Sequence, residues 1–310
     1  MATKMVDVLL AAYQSEQYLP EQLQSLLEQD CDGFRVLIRD GGSTDGTVAL
    51  IRQWCERYPE KFVFIGSGRA GTRENFAALM AASDAPYIMF CDHDDRWMPD
   101  KISVSLERCR RLEAQHPAGT PVLVFSDALV TDDRLQIIDR SNFHFQQLDP
   151  ARIGLFESLL QNVPFGNTMC FNRALAEMAG PVPPEAFMHD HWITLIGTRF
   201  GVVGQLENAT LYYRQHRHNL FGMPCFSLPH LCRRAIFTRA ELQRRIFDYC
   251  RQAAVFRERF GAGLSPEENR RLQLLATIPA AGFWGRRMRL WQSGARKNGW
   301  RRNLGLFIVL

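Results

Sequence analysis

The chain has 310 residues, of which 46% are hydrophobic and 23% charged. That composition excludes disorder and allows one large α/β domain with an appendage, or two modest domains. The formal net charge of +4 is too small to indicate a nucleic-acid partner. It is also uneven: residues 269–310 hold nine arginines and lysines and no acid, which leaves the rest of the chain at −5. Eight scattered cysteines without a Cys-x-x-Cys pair fit a reduced, cytosolic compartment rather than a disulfide framework or a zinc knuckle.

Residues 6–12 (VDVLLAA) read as a buried first strand; Asp7 interrupts the apolar run, so the segment is not a signal peptide. A helix is expected at about 20–29, with Leu23, Leu26 and Leu27 inward. A second strand covers 34–39 and ends at Asp40 and the turn Gly41-Gly42-Ser43. Thr44 or Asp45 caps the next helix, which carries Val48, Ile51 and Trp54. A strand at 61–65, a helix at 74–82 and a strand at 86–91 follow. This alternation predicts an α/β fold with right-handed crossovers and a mostly parallel sheet flanked by helices. Further strands and helices from 122 to about 213 complete the same domain. After Gly222 the pattern turns helical, with a long Arg-rich helix at about 228–260. The expected division is therefore 1–222 and 223–310. No run reaches the roughly 18–20 apolar residues that span a bilayer.

Ligands of such sheets bind beyond the carboxyl ends of the strands, and here those ends are polar. Asp92-His93-Asp94-Asp95 follows the fourth strand. Carboxylates this close repel one another unless a cation offsets them, and Mg²⁺ or Mn²⁺ is a hard ion suited to such a group. The alternative is an acidic cap for the helix that starts near Pro99. The run from Asp40 to Gly46 lets backbone approach an anion through Gly41 and Gly42, or serves only as a strand-to-helix turn. His189-Asp190-His191 opens a helical pattern, with Asp190 either a general base or a cap. The set Tyr213-Arg214-Gln215-His216-Arg217-His218-Asn219 follows a strand and reads as a phosphate or metal shell, or as a solvated basic loop. Arg73 and Asn75 open the third helix at a place suited to a diphosphate.

These residues bear a family likeness. The blocks VLLAAYQSEQYLPEQLQSLLEQ, IRDGGSTDGT, RENFAALM, YIMFCDHDDRWMPDKI, FGNTMCFNRAL, MHDHWITLI and LYYRQHRHN resemble, in order, the family 2 glycosyltransferases of the GT-A fold. They resemble in particular bacterial rhamnosyltransferase-like members that build O-antigen and cell-wall glycans. The resemblance covers roughly the first 220 residues. It implies a nucleotide-diphosphate sugar donor, with Asp40 on the pyrimidine base and Ala12 and Tyr13 lining its pocket. Asp92 and Asp94 would form the Asp-x-Asp metal motif, His216 would lie near the metal or diphosphate, and Arg214 or Arg73 would assist the leaving group. Asp190 would be the base of an inverting displacement, tuned by His189 and His191. His93 departs from the Gln or Ser expected between the two aspartates. The favoured donor is dTDP-L-rhamnose, with UDP-glucosyl or UDP-galactosyl transfer, or a sugar-phosphate nucleotidyltransferase, as alternatives. The acceptor would be a lipid-linked oligosaccharide or glycan. Arginines interleaved with Trp284, Met288, Leu290, Trp291 and Trp300 predict a tail that lies on the inner face of the cell membrane, or a basic face that docks a partner.

Overall fold

Strand β1 (Val6–Ala12) is buried along its whole length, as expected of a central strand covered on both faces. In the computed structural model, which describes residues 5–216 and 239–310, β1 is followed by α1 (Leu19–Leu27), β2 (Phe34–Asp40), α2 (Thr47–Arg57), β3 (Phe62–Ser67), α3 (Thr72–Ala82) and β4 (Tyr87–Asp92). The short β5 (Arg96–Trp97), α4 (Lys101–Ala114), β6 (Val122–Thr131), β7 (Ile137–Asp139) and α5 (Asn142–Phe145) come next. After the single turn α6 (Leu155–Ser158) the chain adds β8 (Met169–Asn172), α7 (Arg173–Ala179), α8 (His189–Phe200) and β9 (Val202–Arg214). The expected boundary between 222 and 223, the start of the Arg-rich helix near 228, and Arg217, His218 and Asn219 all lie outside the described residues.

The chain divides into two units. The first comprises residues 1–146, 164–182 and 188–216 and holds one nine-stranded sheet in the order β3-β2-β1-β4-β8-β6-β9-β5, with β7 on β6. The long ladders β1–β2, β1–β4, β2–β3 and β6–β9 are parallel; the shorter pairings of β8, β7 and β5 are antiparallel. The sheet is thus mixed in its second half while its first half is parallel.

Period-2 alternation puts Val8, Leu10, Val36, Ile38 and Met89 against Leu23 and Leu26 of α1, Ile51 of α2 and Ile102 of α4. Leu9, Leu37 and Phe90 take the other face, where the buried Phe76 of α3 meets Phe90 edge-on at 5.2 Å. Asp7 is tolerated inside β1 because Arg35 pairs with it at 2.7 Å and Ser83 donates to it at 2.8 Å.

The second unit comprises residues 147–163, 183–187 and 217–310. Its helix Arg239–Phe260 buries Ile246, Cys250, Ala253 and Phe256, a helical stripe. The helix Pro266–Ala276 starts in a capping box formed by Ser265 and Glu268. The helices Phe283–Ser293 and Trp300–Val309 close the chain. Among the described residues, no helix is long and apolar enough to cross a membrane.

Candidate active site

β2 and β3 add to one side of β1 and β4 to the other. The crossovers therefore reverse direction between β1 and β4, the switch point at which open α/β sheets take ligands beyond their carboxyl edge. The registers bring the polar ends level there: Ala12 pairs with Asp40, Ala11 with Asp92, and Asp40 with Ser67.

Asp40 is fully buried. Its Oδ2 accepts the N–H groups of Gly42 at 2.9 Å and Ser43 at 3.0 Å and the Ser67 hydroxyl, while Oδ1 accepts the Ser43 hydroxyl. Burial pushes this carboxyl up, but the Ser43 and Ser67 hydroxyls and the two N–H groups outweigh it and hold it below the usual value. An ionised carboxylate with acceptor capacity left on Oδ1 results. Gly41 is needed as glycine, since a Cβ there would come within 2.7 Å of Asn75 Nδ2 and 3.4 Å of the Tyr13 ring. Tyr13, Gly41 and Asn75 are thus one cluster beside Asp40, and Arg39 holds the Asn75 side chain by a hydrogen bond. Gln14, in the left-handed region at φ 47°, ties the loop after β1 to the loop after β2. Its N–H donates to Ser43 Oγ at 2.8 Å, and its Oε1 accepts the Thr44 N–H at 2.7 Å.

The acidic run does not cap the following helix: β5 intervenes, and Asp100 is the cap residue of α4. Instead each carboxylate has its own setting. Burial, then the charges of Asp94 and Asp190, push Asp92 up to about 8. Burial also works to raise Asp94, but the hydrogen bond from His216 and the nearby His93 hold it below its ordinary value. His216 Nε2 donates to Asp94 Oδ2 at 2.8 Å, and its ring stacks on Tyr18 with centroids 4.7 Å apart. Asp95 is driven well up by burial and its two acidic neighbours, and accepts from Asn167 Nδ2 and the Arg214 N–H. His93 Nδ1 donates to the Ala11 carbonyl at 3.1 Å.

Asp190 lies in the first turn of α8 as its second residue, two positions after the cap residue Met188. Its carboxylate accepts the Gly166 N–H at 3.1 Å and the His191 N–H at 2.8 Å, and its charge reaches Asp92. The switch-point edge therefore brings Asp92, Asp94 and Asp190 together from two separated segments. His189 stacks on Phe76 at 3.9 Å and meets Phe90 edge-on at 4.5 Å, and burial pushes its imidazole down to about 3, so it is neutral.

Arg214 is buried, and its guanidinium donates to the carbonyls of Asp94 at 2.9 Å and Asp133 at 2.6 Å, pairs with Glu21 and lies over Tyr18 at 4.8 Å. It braces the acidic loop. Arg73 stands in the first turn of α3, two residues before Asn75, and pairs with Glu74. Sequence reasoning missed Tyr18, Glu21, Ser67 and Asn167. Tyr18, Glu21 and Asn167 fall inside blocks that carry the family likeness and Ser67 does not, but their partners lie on distant stretches of chain that no local pattern announces.

Among the described residues no three His, Cys, Asp or Glu side chains form a ready-made metal cage. The donor set nevertheless fits a hard divalent ion. Such ions need only one or two carboxylates when phosphate oxygens complete the shell, and Asp92, raised by burial and then by its like-charged neighbours, is a group that a cation would relieve.

The sheet, its switch point and the acidic strand end define an α/β fold of the GT-A type. The glycosyl transferase family 2 model matches residues 7–174, so the chain belongs to that family. An uncharacterized glycosyltransferase of Nostoc sp. is 27% identical over 225 residues, covering 69% of this chain and 66% of its own length. The dTDP-rhamnosyl transferase RfbG of Shigella flexneri is 25% identical over 230 residues, with 69% of this chain and 73% of the relative covered. The match spans 60–66% of the length of the first curated relatives. The crystal structure of S. aureus TarS 1-349 in complex with UDP-GlcNAc superposes with a TM-score of 0.52 at 16% identity, covering 98% of this chain and 90% of that one; it shares the fold.

Proposed function

We propose that this chain is an inverting, metal-dependent glycosyltransferase of cell-surface glycan synthesis. It moves L-rhamnose from dTDP-L-rhamnose to a lipid-linked or polysaccharide acceptor at the inner face of the cell membrane, with residues 1–222 as the catalytic domain and 223–310 on the membrane. The convergence of Asp40, Asp92, Asp94 and Asp190 on the β1/β4 switch point carries the reading. Likeness to RfbG supports the rhamnosyl donor. Likeness to TarS 1-349 with UDP-GlcNAc keeps a UDP-sugar as the second reading.

Asp40 orients the base through its free acceptor site, with Ala12, Tyr13, Gly41 and Asn75 around it and Arg73 toward the diphosphate. Asp92, Asp94 and His216 would hold Mg²⁺ or Mn²⁺, which when bound would supply the charge that offsets the departing nucleoside diphosphate. Arg214 keeps Asp94 in place. Asp190 takes the proton of the acceptor hydroxyl as that oxygen bonds to the anomeric carbon and the bond from that carbon to the phosphate oxygen breaks. Attack from the face opposite the leaving group inverts the configuration.

Calorimetric titration with dTDP, UDP and GDP, with and without Mn²⁺, tests the reading. Metal-dependent binding of dTDP that Asp94→Ala abolishes is the expected result. Preferential binding of UDP moves the donor to the second reading, and no binding of any nucleotide overturns both.

A further inference from the structure

The largest apolar side chains of the last two helices point to solvent rather than into the core of their unit. In the Phe283–Ser293 helix the exposed Trp284, Met288 and Trp291 recur at steps of four and three and share one face, while the buried side holds only Leu290 and Ser293. The Trp300–Val309 helix repeats the inversion: Trp300, Leu304 and Ile308 are exposed, and Leu306 and Val309 are buried. Trp284 is 76% exposed, Trp300 71% and Trp291 65%. Single exposed apolar residues are ordinary, whereas ordered rows of aromatic and aliphatic side chains mark a contact surface.

What surrounds the rows selects their partner. Arg287 lies over the Phe283 ring at 3.6 Å and Arg301 over the Trp300 ring at 5.5 Å, so guanidinium groups flank both rows. Residues 269–310 contain no Asp or Glu. A second copy of the same face would bring arginine against arginine. A layer of lipid phosphates complements it, since indole rings sit at headgroup depth and arginines reach to phosphate oxygens from there.

We propose that the two rows are a docking surface for an anionic bilayer. Trp284, Met288, Trp291, Trp300, Leu304 and Ile308 enter the interfacial layer, and Arg287 and Arg301 meet the lipid phosphates. This rests on the membrane reading of the C-terminal region and assigns it to particular side chains. The contact is with one leaflet, because neither helix is long and apolar enough to span.

The full chain is mixed with phosphatidylcholine vesicles, with and without phosphatidylglycerol, and sedimented. Binding to the phosphatidylglycerol vesicles is expected, together with a blue shift of tryptophan emission. The triple variant Trp284→Ser, Trp291→Ser, Trp300→Ser weakens binding by about tenfold or more while keeping the wild-type melting curve. Should the triple variant fail to fold, Arg287→Gln with Arg301→Gln is the second arm; it removes the preference for phosphatidylglycerol without touching the rows. A chain that stays in the supernatant with anionic vesicles overturns the proposal. So does a triple variant that sediments like wild type, or a wild-type dimer that the triple substitution turns into a monomer. Neither donor nor acceptor is present in this assay, so its failure leaves the transferase reading standing, and the nucleotide titration judges that reading alone.

Discussion

In the first unit, charged groups lie inside. Asp40, Asp95 and Lys101 are all fully buried, and Lys101 donates to Thr210 Oγ1 at 3.0 Å and lies over the Trp97 ring at 4.8 Å, its ammonium pushed down to about 8 by burial. In the second unit, large apolar groups lie outside, on the Phe283–Ser293 and Trp300–Val309 helices. Each inversion costs stability relative to the ordinary partition of residues. The proposed donor site and the proposed bilayer surface both lie where the fold departs from that partition, the first at buried carboxylates and the second at exposed indoles.

The comparison breaks most visibly at Asp190. Asp190→Asn keeps the shape and removes the base, so turnover should fall by about 10²–10⁴-fold with nucleotide affinity unchanged; single-turnover kinetics alongside calorimetry separates the two. A comparable loss of affinity would mean that Asp190 serves binding rather than proton transfer. Next is Gly41→Ala, whose methyl would press on the tethered Asn75. Overpacking of this kind is worth about 1–3 kcal/mol and should weaken nucleotide binding by about tenfold or more; an unchanged dissociation constant would remove Asn75 and Gly41 from the donor pocket.

A third test uses His189, whose imidazole sits at about 3 when folded against 6.5 when free. Between those values the folded chain binds fewer protons than the unfolded one. Its contribution to stability is whole above about pH 6.5 and is lost as the pH falls toward 3, by up to about 1.4 kcal/mol per unit. His189→Phe keeps an aromatic ring stacked on Phe76 and edge-on to Phe90, so the fall in urea midpoint between about pH 7 and 5 should flatten; an unaltered slope would place the acid sensitivity elsewhere. The smallest effect belongs to the second unit. Ser265→Ala removes one bond of the capping box, costs about 1 kcal/mol in a thermal melt and leaves nucleotide affinity as it was.

Much of the first unit was legible in the sequence because local pattern carries it. The strand expected at 6–12 is β1 residue for residue, and the strand expected at 34–39 extends by Asp40 alone. Burial on both faces leaves a continuous apolar run, and Asp40 and Asp92 stand where those runs end. What the sequence hid is non-local. The two residues Arg96 and Trp97 become β5 only by pairing with β9. β8 enters antiparallel between β4 and β6, and no periodicity announces a strand's neighbour or its direction. The Tyr18–His216 stack and the Ser67–Asp40 bond join distant segments in the same way. The tail showed its arginines and tryptophans plainly, but that its largest apolar residues face outward emerges only from the packing of Leu290, Leu306 and Val309.

The level strand ends have one more consequence, for what holds the register of β1 and β2. A slip of one residue between β1 and β2 would set Arg39 or Gly41 opposite Ala12 in place of Asp40, and would turn Val36 and Ile38 away from their core face. The same slip that removes the carboxylate from the edge would turn Arg35 and Arg39 onto the face where Val36 and Ile38 pack, setting two charges against an apolar core. The register that brings Asp40 level with Ala12 is thus the one the core also favours, so the position of the carboxylate is secured by packing elsewhere along β2.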